Sequence, residues 1–197
     1  MLTAGVVAAP LFLLVSFIQM PLNPGFDLTR HAFSYLSIGD TGTIQQANFV
    51  VLGLLNLVAA GGLVSALRGK TRYVAAALLA LNGLGQIIAG IFTLDPSNGF
   101  PIGAPDGLPE TVSTHGNLHG LGFGLSIVTW VSLLVVLASL LKRNDERPWA
   151  RACLAGAVAL VVTGACLVTP FGTVLLYVVL TSTWLLTAAV LNLLRRW

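Results

Sequence analysis

Six apolar runs dominate this chain, at residues 2–20, 45–67, 73–94, 115–141, 149–168 and 170–194. Each is near the roughly 20 residues that cross the hydrocarbon core of a bilayer. A backbone in lipid must satisfy its own N–H and C=O groups, so uninterrupted runs of this length are helices. The sequence therefore predicts an all-α fold, a six-transmembrane-helix bundle forming a single integral membrane domain over residues 1–197. Composition agrees, because only 9% of residues are charged and 56% are hydrophobic, whereas a soluble domain carries about 25% charged residues. The first run has no basic residue ahead of it and no convincing small-residue cleavage site behind it, so it reads as a retained span. The final boundary, "VTPFGT", is a tight turn whose breakers are Pro170 and Gly172. Cys153 and Cys166 lie thirteen residues apart in one run, about 20 Å along a helix, and cannot bridge each other.

The cations orient the bundle. Arg68, Lys70 and Arg72 fall between spans two and three. Lys142, Arg143, Arg147 and Arg151 fall around the turn between spans four and five, and Arg195 and Arg196 close the chain. Six spans put all of these on one side and leave Arg30 alone on the other. The positive-inside rule then predicts cytoplasmic termini and a multi-pass protein of the cell (plasma or inner) membrane. The net charge of +3 is thus explained by topology, and no nucleic-acid partner is implied. Asp27, Asp40, Asp95, Asp106, Glu110 and all three histidines map to the outer side. The reactive inventory is concentrated there.

After span one comes "NPGFDLTRHAFSYLSIGD", residues 23–40. Asn23 before Pro24 reads as a helix start, and the segment is expected to form an amphipathic helix. Its polar arc holds Asp27, Arg30, His31, Ser34 and Ser37, facing either water at the interface or a pocket between span ends. Asp27, His31 and Ser34 at i, i+4 and i+7 form a column on one element, whereas hydrolase triads draw members from separate elements. The connection from Asp95–Pro96 to His115 is long and rich in Gly and Pro, and could fold as a lid. His115 and His119 in "THGNLHG" share a helix face at i, i+4, a spacing that suits two ligands of one metal. His119 lies a turn deeper, and an ionisable group inside a span is a functional candidate. Gly116, Gly120 and Gly124 read as a small-residue ridge for close helix contact. Asn56, Asn82 and Gln86 read as interhelical hydrogen-bonding groups or the lining of a polar cavity.

The order "RHAFSYLSIGD", "NFVVLGLLNLVAAGGL", "GIFTLDP" and "GNLHGLGFGLS" resembles the bacterial and archaeal membrane family called domain of unknown function 998, over nearly the whole chain. The resemblance implies a compact six-span bundle and brings forward Arg30, Ser34, Gly39, Asp95 and His119. It brings no activity with it.

Two classes of function follow. In the first, the protein is a metal-dependent hydrolase or transferase acting on a lipid or lipid-linked substrate. Asp95, His119 and Ser34 would be catalytic, with His115, His119 and Asp95 holding a Zn2+ that activates water. Arg30, Asp27 and His31 would bind the headgroup. In the second, it is a non-enzymatic accessory for lipid or anion binding or for transport, with Arg30 pairing an anionic ligand. A b-type haem between two histidines would need His31 to oppose the other pair.

Overall fold

The computed structural model describes residues 1–167, 169 and 171–197. Pro170, the expected breaker of the last turn, lies outside them. Six helices follow the apolar runs: α1 (Leu2–Gln19), α2 (Gly42–Ala66), α3 (Thr71–Ile91), α4 (Thr114–Arg143), α5 (Arg147–Cys166) and α6 (Gly172–Leu194). All six are long and apolar enough to cross a membrane. Each helix packs on the next and α6 closes against α1, giving an up-and-down ring. Arg195 Nη1 donates to Thr3 Oγ1 at 3.4 Å, which ties the two ends of the chain together. Arg68, Asn144 and Trp197 line one groove, so the ends of α2, α4 and α6 share that cation-bearing face. The two long connections, residues 20–41 and 92–113, meet on the opposite face through Tyr35, Asn98 and His31.

With no hydrophobic drive between helices in lipid, close van der Waals contact and hydrogen bonds must hold them. Phe12 of α1 is the hub of the apolar contacts, with Phe49 and Trp184 at 4.9 Å and Phe33 at 5.6 Å between ring centroids. Beside it, the buried side chains of Ser16, Gln19, Gln45 and Asn48 form a closed polar zipper between α1 and α2. The expected bonds of Asn56, Asn82 and Gln86 are present. Asn56 Nδ2 donates to Gln86 Oε1 at 3.0 Å, and Asn82 Nδ2 donates to the Ser126 carbonyl at 2.8 Å. These bonds link α2, α3 and α4.

Three expectations are corrected. Residues 23–40 do not form an amphipathic helix. They make turns followed by a short 3-10 helix, Phe33–Ile38. Asn23 is buried, and instead of capping a helix its amide donates to Gln19 O and Thr41 Oγ1, both at 2.7 Å, pinning the ends of the connection together. Asp27 folds onto Thr29, accepting from its N–H at 2.8 Å, and this local turn competes with helix. Phe33 and Tyr35 then point into the bundle, not into lipid. Second, α3 stops at Ile91 rather than at residue 94, so the connection that carries Asp95 already begins at Phe92. Third, the ridge of Gly116, Gly120 and Gly124 is not the contact face. Gly120 and Gly124 face open space, and a Cβ on Gly116 would run into the Asp95 carboxylate. At 100° per residue the face shared with His119 runs through Gly122 and Ser126. Gly122 presses on Gly85 of α3, where an added Cβ would meet the Gly85 carbonyl at 2.6 Å.

The long connection does cover the opposite face of the bundle. Asn98 and Gly99 both have positive φ, 55° and 79°, in a tight turn closed by the Ser97–Phe100 bridge. That is the backbone an Asn-Gly hairpin demands. Phe100 is fully buried against His31 and Phe26, at 5.2 and 5.7 Å. Gly39 leaves room for it, since a Cβ there would meet the Phe100 ring at 2.8 Å.

Candidate functional site

His119 sits one turn inside α4 and is 7% exposed. Its Nδ1 lies 3.0 Å from the Ala89 carbonyl and 2.9 Å from that of Phe92. Carbonyl oxygens only accept, so Nδ1 carries the proton and donates to both. These are carbonyls at the end of α3, which lack intrahelical partners. The imidazole therefore caps the neighbouring helix, and this fixes its tautomer. In the neutral ring Nε2 is then the lone-pair acceptor, and it has no partner among the described residues.

His119 lines a cavity of about 50 Å³ on the side of the bundle away from the clustered cations. Ser34, Gln86, Ser126, Trp130 and Trp184 contribute to its otherwise apolar wall. Most of these polar groups are already spent. Gln86 bonds Asn56 and Asn82, Ser126 Oγ donates to the Asn82 carbonyl at 3.2 Å, and Trp130 Nε1 donates to Thr187 Oγ1 at 3.1 Å. Three groups remain: His119 Nε2, the Ser34 hydroxyl, and Trp184 Nε1–H, which is buried without an acceptor. Trp184 stacks on Trp130 at 5.4 Å, and both rings also wall a second, deeper cavity of about 20 Å³ beside Asn56, Asn82 and Thr187. Phe123, in the wall of the first cavity, is 38% exposed, so that cavity borders the outer surface of the bundle at α4.

The other anticipated residues are placed elsewhere. His31 is 1% exposed and fully committed: Nδ1 accepts from the Asp27 N–H at 2.9 Å, and Nε2 donates to the Asn98 carbonyl at 2.9 Å. With neither nitrogen free, it opposes no haem. Asp95 accepts from the Ser113 N–H at 3.0 Å, and no hydrogen bond joins it to His119 among the described residues. His115 is exposed and rests edge-on against Phe92 at 5.3 Å. Among the described residues, no group of three or more His, Cys, Asp or Glu side chains is gathered to hold a metal. The set of His115, His119 and Asp95 is thus not assembled for Zn2+. Arg30 pairs with Asp106 at 3.7 Å across exposed loops. Asp27 is exposed, and the Thr29 hydroxyl, then the Thr29 N–H, hold its carboxyl below the usual range.

The family model described as "Protein of unknown function (DUF998)" matches residues 6–191. The chain belongs to that family. No curated protein and no solved structure matches it. Of the residues the resemblance brought forward, Ser34 and His119 of this DUF998 protein line one cavity, while Arg30 and Asp95 are held in the loops. Sequence reasoning missed Trp184 as part of the site. The available signal was an indole mid-span, whose N–H needs a partner when buried. Phe123 carried no signal beyond its place one turn below His119.

Proposed function

We propose that this DUF998 protein binds a membrane amphiphile, presenting its cavity to a small polar group of that molecule, a hydroxyl or amide, from the outer half of the bilayer. One observation carries the reading: Nδ1 of His119 is consumed by the end of α3, which leaves Nε2 unpartnered on a residue that lines a cavity with little other unspent polarity. A free acceptor in an apolar wall favours a guest that donates a hydrogen bond. The unpartnered indole of Trp184 favours one that also accepts, and a hydroxyl or amide does both. A cavity of about 50 Å³ has no room for a whole lipid, so the apolar remainder of the guest would lie along the lipid-facing surface at Phe123. The positive-inside rule supports cytoplasmic termini and an inner (plasma) membrane location, which puts the cavity in the outer half. This is the non-enzymatic of the two classes.

The test is lipid analysis of purified protein. The wild type should retain a hydroxyl- or amide-bearing amphiphile well above its bulk proportion. Ser34→Ala should weaken retention by about threefold to tenfold, the value of one or two neutral hydrogen bonds. Wild-type protein carrying lipids only in bulk proportion would overturn the reading.

A second reading rests on Ser34 and His119 lining the same cavity with both polar atoms free. Ser34 would then be a nucleophile and His119 Nε2 its general base, oriented by main-chain carbonyls where a triad uses a carboxylate. Labelling of Ser34 by a fluorophosphonate, abolished in His119→Ala, would favour this reading over simple binding.

A further inference from the structure

The face bearing the cations holds a feature that no reading of the outer cavity uses. A groove of about 610 Å³ runs between α4 and α5. On α4 its wall is Val135, Ala138, Ser139 and Lys142, at i, i+3, i+4 and i+7. On α5 it is Arg147, Ala150, Arg151 and Leu154, with the same periodicity. Lys142 and Arg147 flank the turn between the helices, and Arg151 lies one turn further in. Val135 and Leu154 lie seven residues from the turn-proximal cations on each helix, about 10 Å deeper. The groove therefore grades from three cations at the membrane surface to an apolar floor below.

The positive-inside rule explains why cations occupy this face. It does not explain why Lys142, Arg147 and Arg151 converge on one groove with an apolar floor. The only ion pair among them within the described residues is Arg147 with Asp145, at 3.7 Å and highly exposed, so the groove keeps excess positive charge. Val135 and Leu154 remain exposed, at 47% and 48%. A matching occupant has an anionic phosphate at interface depth and acyl chain beneath it. Basic pockets between transmembrane helices on this side of a membrane take such lipids.

We infer that the α4–α5 groove is a binding site for an anionic phospholipid. The phosphate accepts from Arg147, Arg151 and Lys142, and one acyl chain lies along Val135 and Leu154. Arginine suits the phosphate because its planar fork donates two parallel hydrogen bonds.

The test uses the full chain in detergent, titrated with phosphatidylglycerol or phosphatidylcholine and read by native mass spectrometry. One or two phosphatidylglycerol molecules should bind wild type in preference to phosphatidylcholine. Each cation neutralised should cost about fivefold, and the variant Lys142→Gln/Arg147→Gln/Arg151→Gln on the order of a hundredfold. A control, Lys70→Gln/Arg195→Gln/Arg196→Gln, removes as much charge from the same face outside the groove, and should bind like wild type. Leu154→Trp, which fills the floor without touching the charges, should also weaken binding. Equal losses in the groove and control variants would overturn the inference, because general surface charge would then suffice. Displacement of the lipid by millimolar inorganic phosphate would overturn it too, by reducing the site to an anion hole. A preference for phosphatidylcholine, or no preference, would do the same.

Discussion

Alanine at position 122 would put a methyl group between two backbones. An added Cβ there lies 2.6 Å from the Gly85 carbonyl oxygen and 2.9 Å from the Ala89 nitrogen. Neither atom belongs to a side chain that can swing away, so α3 and α4 must separate. Restoring an ordinary 3.4 Å contact from 2.6 Å requires a retreat of about 0.8 Å. Overpacking of this kind costs about 1–3 kcal/mol, offset by the 0.5–1 kcal/mol that alanine gains over glycine inside a helix. The net loss of about 1–2 kcal/mol corresponds to a fall in Tm of about 2–8 °C for a chain of this size. The damage should reach the site as well. A full retreat along the bond from His119 Nδ1 to Ala89 O would lengthen it from 3.0 Å to about 3.8 Å, outside hydrogen-bonding range. Thermal unfolding in detergent measures the first effect, and retention of the proposed amphiphile measures the second. Gly120→Ala and Gly124→Ala are the controls, since a Cβ at either position meets nothing, and both should be neutral or slightly stabilising. If Gly122→Ala melts with these controls, the close α3–α4 contact does not exist and the placement of His119 against α3 fails with it.

Three further outcomes are expected. Gln45→Leu removes the acceptor for Gln19 Nε2 at 2.8 Å and Asn48 Nδ2 at 3.1 Å, and should destabilise the α1–α2 pair by about 1–3 kcal/mol in an unfolding assay. His31→Phe keeps an aromatic ring against Phe26 and Phe100 but strands the Asp27 N–H and the Asn98 carbonyl; hydrogen exchange should rise across residues 96–113 while α4 stays protected. Asp27 has a depressed carboxyl, so its turn is intact above its unfolded pKa and is lost as pH falls through the folded one. Exchange protection at the Thr29 amide should therefore be flat above about pH 4 and fall below it.

The spans were legible because hydrocarbon imposes a length and a polarity that few other constraints can mimic. Within them, His119 was legible for the same reason, as an ionisable ring a turn below the surface. Where the reading failed, several patterns fitted one stretch and tertiary contacts chose among them. Asn23–Pro24 is a good helix start, yet the Asn23 amide is worth more bridging Gln19 and Thr41. The spacing of Gly116, Gly120 and Gly124 permits close contact without saying which face a neighbour uses, and Gly122 with Ser126 lies nearer the His119 direction. The Asn98–Gly99 hairpin was not anticipated, although that dipeptide is itself a hairpin signal. The zipper of Ser16, Gln19, Gln45 and Asn48 carried no such signal, because each residue taken singly looks like ordinary polarity at the end of a span. Asp95 and His119 were expected to converge, and each instead serves a local backbone need.

The two nitrogens of the His119 ring belong to one conjugated system, and this gives the cap on α3 a mechanical meaning. A donor resting on Nε2 draws electron density across the ring and strengthens the grip of the far-side N–H on the Ala89 and Phe92 oxygens. A guest in the cavity would thus tighten the last turn of α3 and the root of the hairpin that covers the bundle, so its arrival would be registered at the surface without any helix having to move.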